Sequence, residues 1–290
     1  MSGRGKGQGR LLARLPGIDA LEIRCGMDGR GWAGPAAEIH HRVIISTSGG
    51  YLRRVNGATT FVDATSALVT QPGDEISVAH PLGPGDTLTA VVLDEYQVAR
   101  LHGDGYSLVS GELTIHDALD LAHRSFVSAC RRGVDDLEAA ERLHRVLAAL
   151  PDDPGGRAAK DRRRPATVLA HRRTVNMVRE LLAEGRPWTG LDDIAAAANT
   201  SPHHLSRVFR QVTGETITAY RNRLRVRAVL TDLQDGAENL RTLAARYGFA
   251  DQAHLTRVVR RHLGVAPSAV RRLFEPGINV QRSGDRPDAT

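Results

Sequence analysis

The spacing of apolar residues divides the chain into a segment of short strands and a longer helical segment. Over residues 18–113, short apolar runs such as Val43–Ile45 alternate with turn-forming pairs such as Asn56-Gly57 and Pro84-Gly85. Many short strands separated by such turns are typical of a β-sandwich or β-barrel. We therefore predict a β-barrel domain over residues 18–113.

The pattern changes to helical spacing after this segment. Over residues 114–150, apolar residues recur three or four positions apart, which predicts two helices. A charged stretch rich in proline and glycine follows at residues 151–166 and predicts a flexible linker. Helical patterns then continue over residues 167–274, so an all-α domain is expected there.

The two ends and the cysteines indicate the compartment. Residues 1–17 begin with a Gly/Arg-rich stretch without the apolar core of a signal peptide, and they are predicted to form a disordered arm. Residues 275–290 are predicted to be a disordered tail. No run of 18 apolar residues is present, so no membrane span is expected. Cys25 and Cys130 form no CxxC pair, which favours reduced thiols in a cytoplasmic protein, with redox sensing by Cys25 as the alternative.

An internal repeat occupies the helical segment. Residues 204–214 read HLSRVFRQVTG and residues 254–264 read HLTRVVRRHLG, with six identities at an offset of 50. Each copy follows a residue suited to a helix N-cap, Ser201 or Asp251, and each ends in a glycine. A duplicated structural unit is the natural explanation for such self-similarity.

A shorter Ala-containing helix precedes each copy, over residues 191–198 and 240–247. Helix, short turn and helix make the DNA-reading motif whose second helix enters the major groove. The charge agrees with this interpretation, because residues 160–273 carry a net charge of +11 and residues 1–159 carry −4. Positive charge concentrated in one segment is expected where a protein meets a polyphosphate.

The exposed faces of the two repeat helices supply candidate DNA contacts. Arg207 and Arg257 have the paired donors that match guanine O6 and N7, and Gln252 matches adenine in the same way. Arg210 and Arg260 lie about one turn further on and are predicted to contact phosphates.

These motifs resemble the AraC/XylS family of bacterial regulators over roughly residues 167–274. The matching stretches are 201–214, 220–225 and 248–272. The resemblance implies two helix-turn-helix subdomains joined by a rigid helix, which the pattern places over residues 217–233. Base contacts are then implied for both second helices, where Ala253 offers only apolar contact to a thymine methyl. By position the implied contacts are His203, Ser206, Arg207, Gln252, Ala253, Thr256 and Arg257.

The N-terminal segment is similar in architecture to the cupin-type effector domain of the same family. We therefore expect a barrel that holds either a small organic effector or nothing. The helices over residues 114–150 are predicted to pair two subunits, and the alternative is that they only cover the barrel. Fragments of the cupin motifs would supply His40 or His41, Glu75 and His80 as metal ligands. The full ligand spacing is missing, so we predict no metal and no cofactor.

The expected fold class is α+β and multidomain, with an N-terminal cupin-like β-barrel that carries helices and a C-terminal all-α domain of two helix-turn-helix subdomains. The expected function is sequence-specific binding of double-stranded DNA by an effector-responsive transcription regulator. A homodimer that activates transcription through RNA polymerase is favoured over a repressor. We do not predict an enzyme.

Three other function classes remain open. A cupin metalloenzyme with a helical appendage would need convergent ligands in the barrel, and metal analysis would distinguish it. An RNA-binding protein would need a stacking platform, but aromatic residues make up only 4% of the chain. A non-specific architectural DNA-binding protein would show equal affinity for cognate and random DNA.

Overall fold

Two antiparallel sheets form the N-terminal part of the chain. The computed structural model describes residues 7–103, 108–151, 164–184 and 190–274. The strands are β1 (Gln8–Leu15), β2 (Ile18–Arg24), β3 (Gly29–Ala37), β4 (His41–Ser48), β5 (Gly50–Val55), β6 (Ala58–Asp63), β7 (Ser66–Thr70), β8 (Glu75–His80), β9 (Thr87–Leu93) and β10 (Gly111–Thr114). The strand orders are β1-β2-β9-β4-β7-β10 in the larger sheet and β3-β8-β5-β6 in the smaller sheet.

Helices follow and partly interrupt these strands. They are α1 (Glu95–Gly103), α2 (Asp117–Arg132), α3 (Asp136–Ala148), α4 (Pro165–Ala183), α5 (Leu191–Ala197), α6 (Pro202–Thr213), α7 (Ile217–Gln234), α8 (Leu240–Arg246), α9 (Gln252–Leu263) and α10 (Pro267–Phe274). The predicted α+β fold class is confirmed, because a β domain of two antiparallel sheets with helices precedes an all-α part. Helix α1 was not predicted and lies within the segment expected to hold only strands.

The larger sheet lies between the smaller sheet and two helices. Alternate residues of a strand point to opposite faces, and in β4 this sends Val43 and Ile45 into a cluster with α2 and α3. Ile44, between them, joins Tyr51 and Val62 in the cluster between the sheets. The expected pair of helices after the barrel is therefore present, and one face of the pair covers the larger sheet.

The prediction of a disordered arm over residues 1–17 is wrong for residues 8–15. These residues form β1, which pairs with β2 in an antiparallel hairpin from Gln8 opposite Arg24 to Leu15 opposite Ile18. Gly17 closes the turn with a φ of 74°, a conformation that glycine adopts without steric cost. The prediction failed because the Gly/Arg-rich residues before it dominated the composition, although Leu12, Ala13 and Leu15 of this strand pack on the core. Residues 1–6 lie outside the described part of the chain.

The expected linker and tail fall largely on residues that the structure does not describe. Within the linker range of 151–166, residues 152–163 lie outside the description, and α4 begins at Pro165. Proline is favoured at the first helical position, where its missing N–H costs no hydrogen bond. The tail over residues 275–290 lies outside the described residues altogether.

The helical part contains two cores that share one helix. The first core joins Val178, Leu205 and Phe209 to the N-terminal half of α7. The second core joins Leu243 and Leu255 to the C-terminal half of α7. The joining helix predicted over residues 217–233 is thus confirmed as α7 and belongs to both units. Among the described residues, no helix is long and apolar enough to cross a membrane.

Helix α4 also protects an edge of the β domain. Strand β6 is the last strand of the smaller sheet, so part of its backbone lacks a strand partner. Asn176 of α4 donates to the carbonyl oxygen of Thr59 at 3.0 Å and accepts from the backbone N–H of Phe61 at 3.2 Å. Covering an edge in this way prevents pairing with another chain.

Candidate nucleic-acid interface

The two repeat helices, α6 and α9, begin and end in the same way. Ser201 Oγ accepts the backbone N–H of His204 at 3.2 Å, and Asp251 Oδ1 accepts that of His254 at 2.6 Å. Each helix stops at a glycine in the left-handed region, with φ of 83° at residue 214 and 73° at residue 264. Local capping therefore fixes both helices at the positions that the repeat predicts.

Equivalent positions of α6 and α9 are buried. Leu205, Val208 and Phe209 are buried in α6, and the equivalent residues of α9 are buried as well. Residues at these spacings share one face of a helix. The opposite faces of α6 and α9 are consequently equivalent surfaces that are open to solvent.

All nine predicted DNA contacts lie on these outer faces. Seven are exposed, namely His203, Arg207, Arg210, Gln252, Ala253, Arg257 and Arg260. The other two, Ser206 and Thr256, are half-buried at equivalent positions. The structure thus brings the predicted residues together in two groups, one on each helix.

The repeated histidines have different roles in the two copies. An N–H of Arg207 donates to His204 Nδ1 at 3.1 Å. In the second copy, His254 Nδ1 accepts the backbone N–H of Ala250 at 3.2 Å, and the ring packs edge-on against Phe249. The first histidine therefore positions a candidate base-reading arginine, whereas the second closes the turn before its helix.

A groove of about 840 Å³ runs beside the exposed face of α6. Arg207 and Arg210 line it together with Arg221 and with residues 216–218 at the start of α7. A helix N-terminus presents backbone N–H groups and partial positive charge, so this groove suits an anion. Sequence reasoning missed Arg221, although its position one turn into a capped helix was a usable signal.

The opposite side of α7 contacts the β domain through a buried arginine. Arg227 is 1% exposed. It donates to the carbonyl oxygens of Ala64 at 2.8 Å and Ile115 at 2.7 Å, and it lies 3.3 Å from Asp120 Oδ1. Burial would raise the pKa of Asp120, but Arg124 and then Arg227 outweigh burial and lower this pKa below its ordinary value.

A second buried group joins α4 and α7 to the strands. The hydroxyl of Tyr220 donates to Asp63 Oδ2 and accepts from Arg179 Nε at 2.8 Å. Arg179 also donates to Glu112 Oε1 at 2.7 Å and to the hydroxyl of Ser66. Burial disfavours the charged guanidinium, but the acidic partners, Glu112 first, raise the pKa of Arg179 well above its ordinary value.

Arg124 of α2 completes this contact region, which we call the domain interface. Its NH1 donates to Thr231 Oγ1 at 3.1 Å and to Gln234 Oε1 at 3.3 Å, both on α7.

The positive charge of the helical segment is only partly available to DNA. Arg179 and Arg227 were counted toward a nucleic-acid surface, but the structure buries both against acidic groups.

The residues considered as metal ligands do not converge. Glu75 and His80 lie at the two ends of β8, about 16 Å apart at the rise of a strand. Glu75 and His40 are exposed and His41 is half-buried, whereas His80 is buried and contacts Asp86 at 2.9 Å. The cupin ligand set is thus not assembled from these positions.

Comparison with known proteins supports the helical part. Residues 194–273 match the family model described as a helix-turn-helix domain. The chain is 31% identical over 81 residues to the probable transcription factor PqrA of Proteus vulgaris, covering 28% of this chain and 66% of that protein. It is 33% identical over 89 residues to the transcriptional activator AarP of Providencia stuartii, covering 31% of this chain and 65% of that protein.

These matches cover just under two thirds of the two relatives and under a third of this chain. They confirm the resemblance to AraC/XylS regulators for the C-terminal part. The relatives are named as transcription regulators and not as enzymes, in agreement with the prediction. The structure of ToxT from Vibrio cholerae is 13% identical, covers 90% of this chain and 99% of that chain, and gives a TM-score of 0.35.

Proposed function

We propose that this chain is a sequence-specific DNA-binding transcription regulator, built around the AraC-type helix-turn-helix domain of its C-terminal part. The observation that carries this proposal is the pair of equivalent, capped helices whose outer faces present arginine, histidine and glutamine to solvent. We take residues 167–274 as the DNA-binding domain, and residues 18–113 with 114–150 as the part that controls it.

Each outer face has the chemistry needed to read a major groove. Arg207 and Arg257 offer two parallel donors to a guanine, and Gln252 can donate to and accept from one adenine. Arg210 and Arg260 are placed to contact phosphates, which set the register without reading bases. Helix α7 is about 27 Å long, and sharing it between both cores favours a fixed spacing of the reading helices. They would then enter successive major grooves about 34 Å apart.

The test begins with selection of preferred sequences from random DNA by the full chain. Fluorescence anisotropy on the selected duplex should show that Arg207→Ala weakens binding by about 1–3 kcal/mol and relaxes preference at one base pair. Arg14→Ala, an exposed arginine of β1, is the matched control and should leave affinity unchanged. Equal loss on all sequences would make Arg207 a phosphate contact, and absence of any sequence preference in the full chain would refute the proposal.

Regulation by a small organic effector is supported by the domain interface. The β domain holds α7, the helix shared by both DNA-binding units, through Arg227 and Arg124. A change in the barrel can therefore reach both reading helices at once.

Replacing Arg227 by Met should change DNA affinity at least several-fold in either direction. Arg142→Met is the control, because among the described residues it removes hydrogen bonds to Glu138 of α3 and Ser125 of α2 and none to α7. Equal affinities would contradict this coupling.

Partners and the direction of control complete the proposal. We propose a cytoplasmic homodimer that activates transcription by contacting RNA polymerase, with α3 as the pairing helix. Leu137 of α3 is 72% exposed, which supports a surface that a second copy would cover.

Sedimentation equilibrium should show a dimer that Leu137→Arg weakens. In vitro transcription should show more transcript when the protein is added. A monomer at all concentrations, or less transcript, would refute the corresponding part.

A further inference from the structure

Three side chains form a cluster where β2 and β8 end and β9 begins. Cys25 Sγ lies 3.5 Å from His80 Nε2, and His80 Nδ1 lies 2.9 Å from Asp86 Oδ1. An ionised carboxylate can only accept hydrogen bonds, so Nδ1 carries the ring proton and Nε2 presents its lone pair to the thiol. This is the arrangement of a nucleophile, a general base and a group that orients the base.

The surrounding backbone holds the three groups in place. The N–H of Cys25 donates to the carbonyl oxygen of Asp86 at 2.9 Å, and the N–H of Gly85 donates to that of Cys25 at 2.9 Å. The ring of Tyr51 stacks on His80 with centroids 5.6 Å apart. His80 and Asp86 are buried, whereas Cys25 is half-buried. A small molecule can therefore reach the sulfur of Cys25, and the His80–Asp86 pair that acts as the base is already oriented.

The geometry favours a proton relay over a metal site. A zinc site needs three or four donors around one point. Here donor atoms of Cys25, His80 and Asp86 lie within 4.8 Å of one another, but Asp86 already contacts one ring nitrogen of His80 and the thiol contacts the other, which leaves neither nitrogen open to a metal. Burial raises the pKa of the Cys25 thiol, which keeps the group protonated until a base takes the proton.

We propose that Cys25 is a covalent modification site for small uncharged electrophiles in which a carbon–carbon double bond is conjugated to a carbonyl. His80 Nε2 takes the thiol proton while Sγ attacks the β-carbon. The S–C bond forms and the π electrons of the double bond move toward the α-carbon and the carbonyl oxygen. The proton then passes from Nε2 to the α-carbon. The adduct contains every atom of both reactants, and His80 and Asp86 return to their starting states.

This class of electrophile follows from the relay itself. The base that removes the thiol proton has to return it, and the enolate formed by conjugate addition accepts one proton. No oxidant, reductant or leaving group is required. A half-buried sulfur next to a buried carboxylate also favours a small neutral reagent over an anion.

The experiment uses the full chain with N-ethylmaleimide at pH 7, followed by peptide mass spectrometry over time. Cys25 should gain one maleimide at least ~10-fold faster than glutathione and than Cys130, which is 8% exposed and has a pKa raised by burial to about 11. Asp86→Asn should slow the reaction by about 10-fold, whereas Asp28→Asn, an exposed carboxyl three residues from Cys25, should not.

Several results would overturn the proposal. The proposal is wrong if Cys25 reacts with maleimide no faster than glutathione does. It is also wrong if Cys25 reacts at equal rates in the Asp86→Asn and Asp28→Asn variants. A rate that rises only after a chelator is added would identify a metal ligand instead. If Asp86→Asn does not fold, the wild-type rate in D₂O decides, because a relay slows in D₂O and a pre-formed thiolate does not. These readouts are independent of DNA binding.

Discussion

Replacing Tyr220 by Phe tests the domain interface with little change in packing. Tyr220 is 2% exposed, and its ring packs edge-on against Phe209 with centroids 5.4 Å apart. Phenylalanine keeps this contact but removes the hydroxyl that donates to Asp63 and accepts from Arg179. The variant therefore isolates one polar link between α7 and the β domain.

The expected cost follows from the partners that are left behind. Asp63 Oδ1 keeps the N–H of Thr65 at 2.8 Å and its hydroxyl at 2.7 Å. Among the described residues, the partner that Asp63 Oδ2 keeps is Arg179 Nε, at 3.6 Å. A hydrogen bond to a charged group contributes about 1.5–3 kcal/mol, and a shift of Arg179 toward Asp63 offsets part of the loss. We expect the free energy of unfolding to fall by about 2 kcal/mol.

Urea unfolding followed by circular dichroism gives this free energy. The matched control is Tyr247→Phe, which removes a hydroxyl that donates to Asp232 Oδ2 at 2.9 Å in a half-buried position. Water can replace that bond, so the control should lose less than about 1 kcal/mol. Equal losses in the two variants, or a loss below about 0.5 kcal/mol for Tyr220→Phe, would refute the importance of the buried link.

Two further predictions concern protonation and a helix end. Burial lowers the pKa of His123 from 6.5 to about 3, so the folded chain keeps this ring neutral while the unfolded chain binds a proton below pH 6.5. Its stability contribution is present above pH 6.5 and is lost as the pH falls toward 3. From pH 7 to 5.5 this removes about 1 kcal/mol, and His123→Gln should abolish that part of the pH dependence of urea unfolding. Gly264→Ala should cost about 1 kcal/mol from backbone strain at a φ of +73°, since nothing lies within 4 Å of the added Cβ. Gly9→Ala, with ordinary φ and open space, is its control, and equal melting temperatures for the two variants would contradict the strain argument.

The repeat helices could be predicted because their determinants are local. Ser201 and Gly214 bound α6 within one short stretch, and the apolar spacing between them decides which face is buried. The same logic located α9 and all nine outward positions. The position of Arg221 one turn into a capped helix was a usable signal, but its place in the groove between α6 and α7 depends on how the two helices pack, which the pattern within one helix does not reveal.

The domain interface could not be predicted from the sequence for the opposite reason. Tyr220 and Asp63 are 157 residues apart in sequence, so no periodic pattern links them. Arginine is usually exposed, so nothing in the sequence pattern marks Arg124 and Arg227 as buried residues. Strand β1 was missed in a similar way, since an edge strand depends on the partner strand that it pairs with.

Helix α7 makes the length of the chain between the two repeats a strict requirement. Adding or removing one residue turns everything beyond it by about 100° and moves it by about 1.5 Å along the axis. Such a change would rotate Arg227 away from Ala64 and Ile115 and turn the second reading helix away from the first. Substitutions along α7 can be absorbed one at a time, whereas insertions and deletions there would disrupt three packing surfaces together.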